Sequence, residues 1–338
     1  KGGGQMAKRD AYFDNVKFIL IVLVVFGHLL TPFINDEQWL RTLYIFIYTF
    51  HMPAFILISG YFAKGYRKKG YMWKMAKKVL LPYIIFQLIY AVYDYKLYDE
   101  STFEVSVFQP AWSLWFLLSL FCWNAMLFIF TKIKYPLAVA AVLGIMIGLC
   151  EPLETTLSLS RTFVFFPFFL AGFYMKKEHF KKLTSVSCKK VAGGTLLIIA
   201  LWIQYIAPDF EKEWLFGSKS YASLGVNQLE GMTIRTLFYS ISLAMTISFL
   251  ALIPTQTMSF TSRGAQTFYV YLLHGFLIKY IRLSSFGDWI ESVQGYSILL
   301  IGACGVAWLL SSKYVSTIAR PLIELKPLPR RKSLSLGK

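Results

Sequence analysis

Long apolar runs separated by short polar breaks dominate the chain. A helix crosses a bilayer with about 20 mostly apolar residues. Ten segments fit or approach that pattern, at approximately 15–34, 40–62, 79–96, 112–130, 137–150, 160–175, 191–207, 232–254, 267–283 and 295–317. The fifth and sixth are short, so they are merged, tilted or partly re-entrant. The pattern predicts an all-α integral membrane protein with about ten transmembrane helices. Residues 6–320 read as a single polytopic membrane domain and 321–338 as a basic cytoplasmic tail. Lys1 to Gln5 read as an expression remnant ahead of Met6. The longest outer loop, 208–231, is polar and Gly-containing, and holds no second folded domain.

The polar breaks carry sign. Cytoplasmic loops are enriched in Lys and Arg. With the N-terminus inside, the inner segments hold 27 of 35 Lys and Arg but 4 of 18 Asp and Glu, a net of +23. The outer segments hold 8 and 14, a net of −6. The inner blocks run Lys64–Lys78, Lys132–Lys134 and Lys176–Lys190, with Arg330, Arg331 and Lys332 in the tail. A frame shifted by one span would put these blocks outside, so the number of spans is even and both termini are cytoplasmic. Orientation accounts for most of the basic residues. The remainder is free to attract an anionic cytosolic ligand.

Composition narrows the class. The chain is 56% hydrophobic and 16% charged, against about 25% charged in ordinary soluble domains. A soluble enzyme and a nucleic-acid-binding module are both excluded, despite the net charge of +17. Cys122, Cys150, Cys188 and Cys304 are scattered, with neither metal-ligand spacing nor a disulfide framework. No metal site and no bound cofactor are expected.

Ionisable side chains inside spans are costly and mark function by default. His28 ends the apolar run Phe18–Phe26, His51 sits in Phe50-His51-Met52-Pro53, and His274 follows Tyr271-Leu272-Leu273. Each can move a proton near neutral pH. Each can equally be a neutral ring that ties helices together. Three in one chain, without a transporter-like series of buried carboxylates, tilt at least one towards chemistry. Asp14 lies 14 residues before His28, roughly 21 Å along a helix. It therefore belongs at the inner entrance, paired with Arg9 or Lys17. Arg161 opens the sixth span and can bind an oxyanion or a substrate oxygen. Arg235, Lys279 and Arg282, at span ends, read as snorkelling cations. Trp112, Trp115 and Trp123 read as interface anchors first and groove-lining residues second. Ser59-Gly60 permits a close helix contact.

Several of these segments, in order, resemble a known family. Arg9, Asp14 and Lys17, followed by Val24-Val25-Phe26-Gly27-His28, resemble the opening of the membrane-bound acyltransferase 3 family. Phe50-His51-Met52-Pro53-Ala54-Phe55 with Ile58-Ser59-Gly60-Tyr61 resembles its second span, and Trp112-Ser113-Leu114-Trp115-Phe116-Leu117 its Trp-Phe-Leu span. Arg161 with Phe166-Pro167-Phe168-Phe169-Leu170-Ala171-Gly172 is similar to the fucose 4-O-acetylase-like subgroup, and Tyr271 with His274 resembles the late Tyr-x-x-His span. Lys17 departs from the arginine of many relatives, which removes bidentate binding there. No added extracytoplasmic hydrolase-like domain is expected within the 338 residues.

The resemblance implies an O-acyltransferase of a bacterial inner membrane. It moves an acyl group, acetyl first among them, from a cytosolic acyl-CoA to a hydroxyl of an envelope polysaccharide, lipid-linked glycan or cell-wall polymer. It makes His28 the essential histidine, with Arg9 and Asp14 the matching N-terminal elements. His28 then serves as general base or forms a transient acyl-imidazole. Arg161 orients the acceptor or stabilises the oxyanion. His51 and His274 are relay or helix-tying residues. Lys64, Arg67, Lys68 and Lys69, at the head of the Lys64–Lys78 block, recruit the anionic donor. The alternative is a transporter or flippase whose intramembrane histidines handle protons or substrate.

Overall fold

The computed structural model describes residues 9–99, 103, 105–154 and 156–327. Lys1–Gln5 and the tail residues Arg330, Arg331 and Lys332 lie outside the described residues. Among the described residues the fold is entirely helical, with no strand. The long helices are α1 (Ala11–Leu30), α2 (Gln38–Phe62), α3 (Leu81–Leu97), α4 (Trp115–Phe130), α5 (Pro136–Met146), α6 (Leu159–Tyr174), α7 (Val186–Tyr205), α8 (Gln228–Leu252), α9 (Thr267–Leu283) and α10 (Ser297–Leu310), followed by α11 (Lys313–Glu324). Each of the ten apolar segments is thus helical. Among the described residues seven continuous helices are long and apolar enough to cross a membrane, and α10 with α11 makes an eighth if that bent pair is one span. The α5 segment, Pro136–Leu149, is apolar but shorter. The 17 residues of α9 reach about 25 Å at 1.5 Å per residue.

The tenth segment does not run unbroken to 317. It bends by 65° between α10 and α11. Ser312 takes an extended conformation, and its hydroxyl accepts the Val315 N–H, starting a new helix where the apolar run alone suggests continuity. Along α11, Tyr314, Ile318 and Leu322 lie exposed at four-residue spacing while Ile323 is buried. The helix crosses residue 320, so the expected boundary between domain and tail falls inside it.

The helices α1 and α2 occupy the middle of the bundle and are buried on most faces. Gly60 of α2 lies against the Phe169 carbonyl of α6, and Gly172 of α6 against the Leu57 carbonyl of α2. A Cβ at either position would enter the facing backbone, so these two glycines set the closest helix contact of the fold. Pro53 has no N–H to give the Thr49 carbonyl inside α2. The Ser242 hydroxyl of α8 donates to that carbonyl instead, so the break in α2 is satisfied by a neighbouring helix. Before α3, the chain makes a helical turn at Tyr71–Met75 and a π-helical segment at Ala76–Leu80.

Loop contacts sort the connections into two ends. At one end Lys177 pairs with Asp10 at 3.0 Å, Lys64 donates to the Met175 carbonyl, Tyr66 meets Thr131 and Tyr269 donates to Glu324. At the other, Arg41 donates to the carbonyls of Pro208 and Phe210, the Leu157 N–H to Phe108, the Ser220 N–H to Glu154 and Tyr296 to Asp36. The first end gathers the lysine-rich blocks and the second the acidic loops. This is a multi-pass membrane architecture with a charge-asymmetric pair of faces.

Candidate active site

The intramembrane histidines come together from three helices. The rings of His28 (α1) and His274 (α9) have centroids 5.6 Å apart. Trp112 packs against both, 4.4 Å from His28 and 5.0 Å from His274. His51 (α2) lies 4.6 Å from the Tyr48 ring, whose hydroxyl is 3.5 Å from His28 Nδ1. Tyr44 stacks on Tyr48 at 4.0 Å.

The three histidines differ in how their protons are fixed. A backbone carbonyl only accepts. His51 Nδ1–H therefore donates to the Ile47 carbonyl at 2.9 Å, and His274 Nδ1–H to the Val270 carbonyl at 3.0 Å. Both rings are held in the tautomer that leaves Nε2 as acceptor. His274 Nε2 is buried without a partner. His28 is half-buried and faces a tyrosine hydroxyl, which can donate or accept.

A cavity of about 240 Å³ opens against this group, lined by His28, His51, Tyr48, Trp112, Arg161 and Arg282 among others. His274 lies beside it, behind Trp112. Arg161 is the third residue of α6, which starts after left-handed backbone at Leu157 and Ser158. Its guanidinium lies 5.1 Å from the Trp115 ring centroid, and its Nε is buried without a hydrogen bond. A cation so placed is available to an oxyanion or a sugar oxygen.

Trp112 closes the loop that precedes α4, at the first residue of the 3₁₀ turn Trp112–Leu114. Its φ is +45°, unusual for a bulky residue. Gln87 of α3 holds the loop by donating to the Ser106 and Gln109 carbonyls and accepting the Ala111 N–H. Tyr83 adds a bond to the Val107 carbonyl at 2.6 Å. Behind the indole, Lys279 Nζ bonds both carboxylate oxygens of Asp94 at 2.6 Å. Lys279 is thus a buried, paired cation and does not snorkel. Arg282 donates to the His28 carbonyl at 2.7 Å and lines the cavity. Arg235 is 1% exposed against Trp214. Lys279 and Arg235 turn inward because the bundle offers a carboxylate and an aromatic face where the sequence suggests lipid headgroups, whereas Arg282 stays exposed while its guanidinium reaches the His28 carbonyl.

The loop between α7 and α8 borders the cavity. Leu215 and Phe216 contribute to its wall, and Ser160 donates to the Gly217 carbonyl. Glu154 accepts the Ser220 N–H at 2.6 Å. Partial burial opposes its ionisation, but hydrogen bonds from Ser220 and Ser223 and the charge of Lys219 hold its carboxyl below the ordinary range.

A second cavity, about 560 Å³, lies towards the lysine-rich end. Lys17, Lys74 and Lys78 line it with Ser59, Leu117, Leu120, Asn124 and Phe268. Lys78 belongs to the π-helical segment, a distortion that often marks functional positions. Asp14 sits at this end, 6% exposed, bonded to Lys17 at 2.6 Å and near Arg9 at 3.8 Å. The structure therefore separates Asp14 from His28, as the helix rise requires. Lys64, Arg67, Lys68 and Lys69 do not line the cavity. Lys64 is engaged by the Met175 carbonyl and Arg67 by the Tyr66 hydroxyl. The cavity cations come from later in the same basic block, together with Lys17.

Sequence reasoning singled out His28, His51, His274 and Arg161, and the structure brings all four within one neighbourhood. It did not single out Tyr44 or Tyr48, it read Arg282 as a snorkelling cation, and it placed Trp112 as an interface anchor first and a groove-lining residue second. The signal available for Tyr48 was its place three residues before His51, on nearly the same helix face.

The Acyltransferase domain family model matches residues 10–312. Over 59 residues the chain is 54% identical to the nodulation protein NolL of Sinorhizobium fredii, covering 17% of this chain and 16% of that protein. It is 49% identical over 59 residues to NolL of Mesorhizobium japonicum, with the same coverage. The matched segment thus spans about a sixth of the curated relatives' length. No solved structure matches the chain. With nearly all of its described helices inside the family match, the chain belongs to the acyltransferase 3 family.

Proposed function

We propose that this protein is a membrane O-acyltransferase that moves an acyl group, most readily acetyl, from a cytosolic acyl-CoA to a hydroxyl of a cell-envelope glycan or glycolipid. The observation that carries the reading is the convergence of His28, His51 and Arg161, from three helices, on one cavity. In this reading ten helices cross the inner membrane of a bacterium, and both termini are cytoplasmic. The Arg161 and Phe166–Gly172 pattern favours the fucose 4-O-acetylase-like subgroup and a sugar acceptor.

The acceptor enters the outer cavity. His28 takes the proton of its hydroxyl as the oxygen attacks the thioester carbon. Arg161 stabilises the tetrahedral oxyanion. The carbon–sulfur bond then breaks, the carbon–oxygen bond of the ester remains, and the proton passes from His28 to the departing thiolate. Atoms and charge balance without a redox partner. Tyr48 holds the His28 ring, and the acceptor nitrogen of His51 offers a second position for the proton. Lys17, Lys74 and Lys78 receive the donor's phosphates at the inner cavity, and the outlying Lys64, Arg67, Lys68 and Lys69 raise its local concentration.

The reading is tested by acyl transfer from labelled acetyl-CoA in membranes, comparing native protein with His28→Ala. Loss of a catalytic base costs about 10²–10⁴-fold in rate. Undiminished transfer by a folded His28→Ala protein would sink the assignment.

A further inference from the structure

The two cavities meet at three aromatic side chains. Phe55 (α2), Phe116 (α4) and Tyr271 (α9) line both. Phe116 stands edge-on to each of the others, with centroids 5.8 Å from Phe55 and 5.7 Å from Tyr271. Tyr271 is fixed by donating its hydroxyl to the Ser113 carbonyl, in the 3₁₀ turn that Trp112 opens. Phe55 and Phe116 have no such tether. The three rings divide an inner space with lysines in its wall from an outer space containing the histidines. Among the described residues each compartment lacks what the other holds: the inner cavity has no histidine in its lining, and the outer has no lysine.

We infer that Phe55, Phe116 and Tyr271 form an aromatic partition that sets which acyl groups reach His28, admitting short chains and rejecting long ones. This rests on the reading of the protein as an acyl-CoA-dependent transferase. The thioester carbonyl has to come about 3–3.5 Å from the attacking oxygen. A donor anchored by its phosphates at Lys17, Lys74 and Lys78 presents its acyl end to the partition from the inner side. The group must pass or part the rings to reach the acceptor beside His28. The outer cavity, about 240 Å³, must hold both the acyl group and the reacting part of the acceptor. An apolar site distinguishes one methylene by about 10–200-fold, and close-packed rings resist the addition of even that volume. The bond changes are those already given: carbon–sulfur broken, carbon–oxygen formed, and the proton carried by His28 to the thiolate.

The experiment compares acetyl-, butyryl- and hexanoyl-CoA as donors for native protein, Phe55→Ala and Phe116→Ala. Native protein is expected to prefer acetyl over hexanoyl by at least about 100-fold in kcat/KM, and each alanine variant to narrow that ratio by at least about 10-fold. Variants that transfer with the native chain-length ratio overturn the partition and leave the transferase reading standing. Native protein that transfers from none of the donors overturns the transferase reading. A second measurement does not depend on transfer. In a background with the native cysteines replaced by serine, Met52→Cys places a thiol in the outer cavity and Asn124→Cys one in the inner. A charged thiol reagent applied to inside-out vesicles is expected to label Asn124→Cys readily and Met52→Cys slowly. Adding Phe116→Ala is expected to speed Met52→Cys at least about 10-fold. Equal labelling of the two sites without Phe116→Ala overturns the partition.

Discussion

His28 differs from its two neighbours by one atom's environment. Carbonyl acceptors lock the Nδ1 protons of His51 and His274, whereas His28 Nδ1 meets a hydroxyl that can reverse its role. That freedom suits a ring that must gain a proton and then lose it. Arg161 complements it, with Trp115 beneath the guanidinium and a buried Nε left for a ligand. Arg161→Leu is expected to lower kcat by about 10²–10³-fold, as removal of an oxyanion donor does. Arg161→Lys should recover only part, because an ammonium lacks the planar fork. Steady-state rates at saturating acetyl-CoA check this, and a native kcat in Arg161→Leu would remove the residue from the mechanism. These residues were legible in the sequence because a charge inside an apolar run has few bland explanations. Trp112 and Arg282 were not. Both types are ordinary at span ends, and nothing local announces a tryptophan at φ +45° or an arginine bonded to a carbonyl 254 residues away.

At the scale of elements, apolar run length located every long helix, because burial in lipid and in the bundle both demand it. It did not locate the 65° bend, where a single capping serine outweighs an otherwise continuous run. Nor did it reveal how the loop before α4 reaches Tyr271, since that position depends on Tyr83 and Gln87 of α3. The α2–α6 contact is the element interaction most exposed to mutation. It carries His51 on one helix and Arg161 on the other, so its spacing sets the width of the outer cavity. Gly60→Ala and Gly172→Ala each force a methyl group into a facing carbonyl. Overpacking of this kind costs typically about 1–3 kcal/mol. Each variant is expected to lower the thermal midpoint in detergent, whereas Gly193→Ala and Gly194→Ala inside α7, with open space around them, should leave it unchanged or raise it, because alanine is the better helix former. Equal midpoints for all four would mean that the close approach is not rigid.

For the whole molecule, the charge pattern and the fold constrain each other. The loop after α2, the turn between α4 and α5, the connection from α6 to α7 and the start of α1 are cross-linked at one end by Lys64–Met175, Tyr66–Thr131 and Lys177–Asp10. Any inversion that preserves the fold must carry all of these blocks across together. In the proposed orientation the inner segments carry a net of +23 and the outer segments −6, which makes that inversion unfavourable, since positive loops are retained in the cytoplasm and attracted by anionic lipid at about 1 kcal/mol per residue near the surface. The same orientation is what a cytosolic donor requires, with Lys17, Lys74 and Lys78 facing its side. Single cysteines at Lys68 and Lys181, against others at Asp209 and Glu291, test it in the cysteine-free background. All four positions are exposed. An impermeant maleimide is expected to label Asp209→Cys and Glu291→Cys in intact cells, and Lys68→Cys and Lys181→Cys only after permeabilisation. A fully reversed pattern would keep the fold and discard the donor side. A mixed pattern within either pair would contradict the fold itself, because the contacts place Lys68 and Lys181 at one end and Asp209 and Glu291 at the other.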